Sequence, residues 1–213
     1  MWNNHIYKIE IKYKLNEKTN IAKVYCFRYT FVMSYYDDIY EYAADNYGLI
    51  TAAEAKAIGV PNVELVKLAH RGRLIRLGHG VYRIERYIPT VFDKYAEAVA
   101  IVGDGAYIFG ESVLAMHGLA LVNPAVIHVA MPERIRKKLP PDIAGIYRKN
   151  TDQTTYYEGI PSQSVYDALL TCRESVMSER LLDAVNEAQR QGLITEKEAK
   201  AARKEISHVR KSV

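Results

Sequence analysis

Glycines at Gly48, Gly59, Gly72, Gly78 and Gly80 cut residues 33 to 86 into pieces of about ten residues, which restricts this stretch to short elements joined by tight turns. The first piece, DDIYEYAADNYG, sets Ile39, Tyr40, Ala43 and Tyr47 at helical spacing, places Asp37 and Asp38 where a helix N-terminus favours negative charge, and stops at Gly48. Leu49-Ile50 then leads to Thr51 and Glu54, a spacing at which the two side chains satisfy each other's free backbone amides, and a second, short helix runs to Gly59. Val60-Pro61-Asn62 breaks the chain. Asn62 is expected to cap a third helix, VELVKLAHRG, which ends at Gly72. RGRLIRLGHGVYRIER follows, alternating arginines with Leu74, Ile75, Leu77, Val81, Tyr82 and Ile84 about a Gly78-His79-Gly80 turn, and is expected to form a β-hairpin.

Helix, short helix, turn, helix and basic hairpin is the order of a winged helix-turn-helix. In the third helix Leu65, Leu68 and Ala69 share one face, while Glu64, Lys67, His70 and Arg71 fall on the other. The charge supports a nucleic-acid reading only once it is located. The net +4 of the chain is carried by residues 1–32, with Lys8, Lys12, Lys14, Lys18, Lys23 and Arg28 against Glu10 and Glu17, so the other residues are neutral in sum. Within them, residues 33–55 hold only acids (Asp37, Asp38, Glu41, Asp45, Glu54). Residues 56–86 hold Lys56, Lys67, Arg71, Arg73, Arg76, Arg83 and Arg86 against Glu64 and Glu85. A basic stripe confined to one short segment is the footprint of a module that grips a phosphate backbone. Asn62, Glu64, Lys67, His70 and Arg71 are the groups of the third helix that can reach base edges or phosphates, with Glu64 arguing for the alternative of a solvated face. Arg73, Arg76 and Arg83 of the hairpin are offered to phosphates, and His79 at its tip to the minor groove. The alternative is a solvated hairpin. The position directly behind a recognition helix favours binding.

YIPTVFDK, residues 87–94, has the look of a linker into a second domain. DKYAEAVAIVG is expected to be a helix, AYIFGESVLAMHGLAL a buried strand turning into a helix at Glu111-Ser112, and AVIHVAMP a strand limited by Pro132. ERIRKKLPPD is a basic loop. Its Arg134, Arg136, Lys137 and Lys138 admit three readings: a solvated loop, a second DNA contact, or a surface for an acidic partner. IAGIYRKN and TTYYEGIP are expected as two further strands. Ser164 and Asp167 open DALLTC, an apolar stripe of Leu181, Leu182, Val185 and Ala188 runs to Gly192, and Thr195 with Glu198 opens a last charged helix. The expected class is therefore α+β: a winged helix-turn-helix over residues 33–88 followed by a mixed α/β domain over 89–213. Residues 1–32, with the alternating IYKIEIKYKL and the apolar AKVYCFRYTFV, are taken as an upstream extension, with Met33 at the natural beginning.

Catalytic patterns are weak by comparison. Glu54-Ala-Lys56 and Glu198-Ala-Lys200 carry the letters of a metal-dependent nuclease, but in alanine-rich helical surroundings rather than at a strand end. His117 and His128 are too far apart for a helical metal pair and have no cysteine beside them; both are expected to be structural. Ser112 lacks the glycine context of an esterase elbow, and there is no phosphate-cradling glycine loop. No catalytic residue, metal or cofactor is expected. Cys26 and Cys172 are isolated, as suits two unpaired thiols in a reducing compartment. Without a signal-peptide pattern or an apolar run of ~18 residues, a cytoplasmic protein with no membrane partner is expected. A protein-interaction module that never touches DNA, and a nuclease built on the second domain, are the rival readings.

GLITAAEAKAIGVPNVELVKLAHRGRLIRLGHGVYRI resembles the N-terminal winged helix of the AbiEi-type antitoxins of abortive-infection, type IV toxin-antitoxin systems. In that family a glycine, two hydrophobic residues and T-x-x-E-A lead to RG-x-L-x-R and G-x-Y. GESVLAMHGL, IHVAMPERIRKKLP, GIPSQSVYDALLTC and the terminal helical pair resemble the rest of it, so the likeness spans about residues 35–205. The resemblance implies an antitoxin active in phage defence. It implies a repressor of its own operon that binds inverted repeats in double-stranded promoter DNA. It also implies a C-terminal domain that helps to neutralise a neighbouring nucleotidyltransferase-like toxin without requiring a stable complex. Carried over by position, the DNA-contacting residues are Lys67, Arg71, Arg73, Arg76, His79 and Arg83. The neutral body departs from the strongly basic members of the family.

Overall fold

The computed structural model describes residues 34–149 and 154–209, and the expectation for residues 1–32 lies outside them. Side-chain caps set the starts of the first two helices and of two later ones. α1 (Tyr35–Ala44) begins at Ser34, whose Oγ accepts the Asp37 amide at 3.4 Å while the Asp37 carboxylate accepts the Ser34 amide at 3.0 Å. These bonds favour the charged carboxylate and hold Asp37 below the usual carboxylate range. Thr51 and Glu54 cap α2 (Ala52–Ala57) by the same pair of bonds: Thr51 Oγ1 accepts the Glu54 amide at 3.2 Å and the Glu54 carboxylate accepts the Thr51 amide at 2.7 Å. A cap of this kind contributes about 1 kcal/mol. α3 (Asn62–His70) starts differently from expectation. Pro61 takes the cap position without a side-chain bond, and Asn62 is the first helical residue. The reason is that the Pro61 carbonyl already accepts the Glu64 amide at 2.9 Å, on a backbone whose φ the proline ring presets.

Leu49–Thr51 forms a strand, β1, where only a connector was expected; three residues are too few for periodicity to register. β1 pairs antiparallel with β3 (Val81–Ile84), which pairs antiparallel with β2 (Leu74–Gly78), giving the order β1-β3-β2. Beneath this sheet Ile39 and Ala43 of α1, Ala55 of α2, and Leu65 and Leu68 of α3 pack with Ile50, Leu74, Tyr82 and Ile84.

A second sheet follows α4 (Asp93–Val102). It contains β4 (Tyr107–Ile108), β5 (Ile127–Met131), β6 (Ile143–Tyr147), β7 (Thr154–Tyr157) and β8 (Ile160–Gln163) in the order β6-β5-β4-β8-β7. The pairs β5/β6 and β4/β8 are parallel and the others antiparallel. TTYYEGIP thus holds β7, a turn and the beginning of β8, and is not one strand. Glu158 and Gly159 both take positive φ (49° and 77°) in its two-residue turn, and a glutamate in that conformation leaves no mark in the sequence. Helices α5 (Glu111–Met116), α6 (Val165–Thr171), α7 (Ser178–Arg190) and α8 (Glu196–Val209) complete the mixed α+β chain. Their starts at Ser164 and Thr195 use the expected acidic partners Asp167 and Glu198.

Buried polar side chains pin this second half. Ser112 Oγ accepts the His128 amide at 2.8 Å. Gln163 accepts the Gly110 amide and donates to Thr171 Oγ1, each at 3.1 Å. The expected linker is tied down as well: Asp93, itself buried, accepts from the Thr90 amide at 2.9 Å and the Thr90 hydroxyl at 2.5 Å. α4 touches β1 and β2 of the first sheet as well as β4, β5 and β8 of the second. Leu49 belongs to the larger core, Leu77 packs against it, and the Tyr47 hydroxyl donates to the Glu158 carbonyl across the same boundary.

Two predictions follow from this packing. Gly48 has φ +67°, and a Cβ there would sit 2.5–2.9 Å from the Tyr87 ring, so Gly48→Ala should lower stability by about 2 kcal/mol or more, read from the urea midpoint. His117 has both ring nitrogens buried without a protein hydrogen-bond partner and lies 3.9 Å from the Tyr157 ring; desolvation lowers its pKa from 6.5 to about 4. It stays neutral in the folded chain where the unfolded chain takes up a proton, so its contribution is complete above pH 6.5 and is lost as pH falls towards 4. Across that window His117→Phe should flatten the pH dependence of stability by about 2–3 kcal/mol.

Candidate functional site

The basic stripe resolves into an exposed helix face and a hairpin that lie side by side. Leu65 and Leu68 hold α3 on its core, which turns Asn62, Lys67 and His70 to solvent, with Arg71 closing the helix. Gly72, at φ +70°, reverses the chain into β2. Lys67 forms an exposed ion pair with Glu64 at 2.8 Å, which competes only weakly with another anion. Arg73 is exposed and stacks over the Tyr36 ring of α1, its guanidinium carbon 5.4 Å from the centroid, so an aromatic platform orients the cation. Arg76 is exposed on the outer strand of the sheet and its Nε donates to the Gly78 carbonyl at 3.2 Å.

Arg83 is placed elsewhere. The register pairs Arg76 with Tyr82 and Ile75 with Arg83, which puts Arg76 and Arg83 on opposite faces of the hairpin. On its face Arg83 meets α4, where its Nη1 donates to Glu97 in a half-buried ion pair. The sequence offered this arginine to phosphate; the fold gives it a carboxylate. Glu97 was out of reach of sequence reasoning because nothing local says which way α4 turns towards the hairpin.

His79 is exposed at the turn and borders a cleft of about 690 Å³ between the two sheets, which Thr51, Glu54, Asp104, Lys137 and Glu158 also line. Arg134, Arg136, Lys137 and Lys138 are all exposed on the loop between β5 and β6, while Ile135 and Leu139 turn inward and pack over Gly145. The fold therefore brings Lys137 to the cleft that the hairpin tip borders and leaves Arg134 beside Tyr147 in a separate depression.

Sequence reasoning also missed Val63 and Val66, which are 62% and 57% exposed on α3. A helical projection of the nine residues separates them from Leu65 and Leu68, and the packing decides which of the two sides is free.

The Glu-x-Lys patterns dissolve into capping: Glu54 and Glu198 spend their carboxylates on the amides of Thr51 and Thr195. Cys172 is buried, and desolvation together with nearby Glu111 pushes its thiol up to about 12. Among the described residues no three histidine, cysteine or acidic side chains cluster as metal ligands, and no helix is long and apolar enough to cross a membrane.

If Arg83 is an anchor between hairpin and α4, a double-mutant cycle of Arg83→Ala and Glu97→Ala should give a favourable coupling of about 1–2 kcal/mol in urea unfolding. A coupling near zero would mean that the pair does not hold the hairpin.

No curated protein matches the chain. Comparison with protein-family models does give a match, and it falls on the stretch that carries α1 to α3 and the basic hairpin. Residues 37–84 match the family described as transcriptional regulator, AbiEi antitoxin.

Proposed function

We propose that the chain is an antitoxin that represses its own operon. In this reading α2 and α3 form a helix-turn-helix, α3 is the recognition helix, and the β2–β3 hairpin is the wing of a winged helix that binds inverted repeats in promoter DNA. The observation that supports it best is the joint exposure of Asn62, Lys67, His70, Arg71, Arg73 and Arg76 on α3 and the adjoining edge strand, inside the segment that matches a regulator family. Lys67, Arg71, Arg73 and Arg76 act on phosphates and set the position of the helix; Asn62 and His70 face base edges. Arg83 works through Glu97 by fixing the wing's angle, and His79 is the wing's tip. The second half serves neutralisation of a nucleotidyltransferase-like toxin, without a stable complex being required, and has no catalytic role. Arg134, Arg136, Lys137 and Lys138 are its candidate contact to DNA or to that partner.

A salt series on the gene's own promoter tests the reading. Binding should weaken steeply as salt rises from 50 to 200 mM. Arg73→Ala with Arg76→Ala should lower affinity about ten- to a hundredfold on all sequences and reduce the logarithmic salt slope by about 2. Absence of binding at the lowest salt would overturn it in favour of a module that binds only protein.

A further inference from the structure

α3 presents two valines at the centre of its free face. At about 100° per residue, Asn62, Val66, His70, Val63 and Lys67 follow one another across an arc of about 140°, away from Leu65 and Leu68. Val63 is 62% exposed and Val66 57%, against 1% for Leu65 and 8% for Leu68. Neither belongs to a core cluster, and a β-branched residue at an exposed helix position is less favourable than alanine by several tenths of a kcal/mol. Among the described residues nothing in the fold accounts for them.

Their surroundings say what would cover them. Lys67 and the polar His70 share the arc, and the exposed Arg71, Arg73 and Arg76 follow α3 directly in the chain, so cations stand next to the apolar pair. The complementary surface is apolar along a short line and anionic at its edges. The major groove is such a surface where thymines stand, because each thymine presents a C5-methyl on the groove floor between two rows of phosphates. Side chains three residues apart on a helix have Cβ atoms about 5–6 Å apart, one to two steps of a base stack at about 3.4 Å. Both valines lie in the first five residues of α3, the part of a recognition helix that meets base edges.

We propose that Val63 and Val66 are specificity-determining residues, each packing on a thymine methyl in the major groove, so that each operator half-site requires thymines at adjacent or next-adjacent positions. The inference rests on the reading of α3 as the recognition helix.

The test uses the full chain and three DNA fragments: the gene's own promoter, the same fragment with every thymine replaced by deoxyuridine, which removes only the C5-methyl, and an unrelated sequence. Fluorescence anisotropy at one fixed salt gives the affinities. The wild type should bind each deoxyuridine half-site about fifteenfold more weakly, at about fourfold for each of two buried methyls. Val63→Ala with Val66→Ala should bind both promoter forms alike, at the wild type's deoxyuridine level, with the salt slope unchanged. Equal wild-type binding to both forms overturns the proposal while leaving DNA binding standing. Full discrimination retained in the double variant does so too. A double variant that keeps its discrimination but loses self-association in light scattering assigns the valines to a contact between copies, which also overturns it. Failure of the wild type to bind any fragment overturns both this proposal and the reading beneath it.

Discussion

Both sheets rest on α4. Its composition makes that possible: Ala96 and Ala98 are buried and Ala100 is half-buried, so backbone can approach the helix closely from more than one side. The larger core takes Tyr95, Ala98 and Val102 from it, together with Leu49 from β1, and Gly78 of the hairpin lies close to Ile101. A helix that touches β1 and β2 on one side and β4, β5 and β8 on the other transmits its own position to both. The Arg83 and Glu97 pair works on this base. Half-buried, it is screened less than a surface pair, and breaking it would leave a charge in partly desolvated surroundings.

That arrangement determines what the hairpin can offer. One of its faces is taken by α4 and the other, through Leu74, Tyr82 and Ile84, by the core of α1 to α3, so only the exposed side chains of the outer strand are free for a ligand. Arg76 is exposed on that edge strand and Arg83 is tied to α4, although in the sequence the two look equivalent. The cleft between the sheets joins the hairpin tip to the β5–β6 loop through His79 and Lys137, while Asp104, Glu54 and Glu158 give it acidic walls. The cations of α3, its C-terminal turn and β2 do not line that cleft.

How much of this was legible depends on the range of the interaction. Thr51 with Glu54 and Thr195 with Glu198 were read correctly because a capping pair spans three residues. The glycine stops were read correctly because a positive φ at Gly59, Gly72 and Gly192 is a property of one residue. Asn62 was misplaced by one position, since proline and asparagine both suit a helix start and only the backbone decides between them. β1 and the β7–β8 hairpin were missed or merged. A three-residue strand exists only by virtue of its partner, and Glu158 takes its positive φ under the demands of the turn.

The sequence by itself determined the order of the elements, their ends, the apolar faces of the helices and the concentration of arginine in one segment, because each depends on neighbours a few residues apart. Tertiary structure alone decided which of those arginines are free. Arg73 and Tyr36 are far apart in the chain and meet because α1 and the α3–β2 connection pack on one core; Arg83 and Glu97 meet because α4 lies under the hairpin. The same packing gives Val63 and Val66 their meaning. Valine in a short helix signals a core until Leu65 and Leu68 have claimed the core side and left the valines outside.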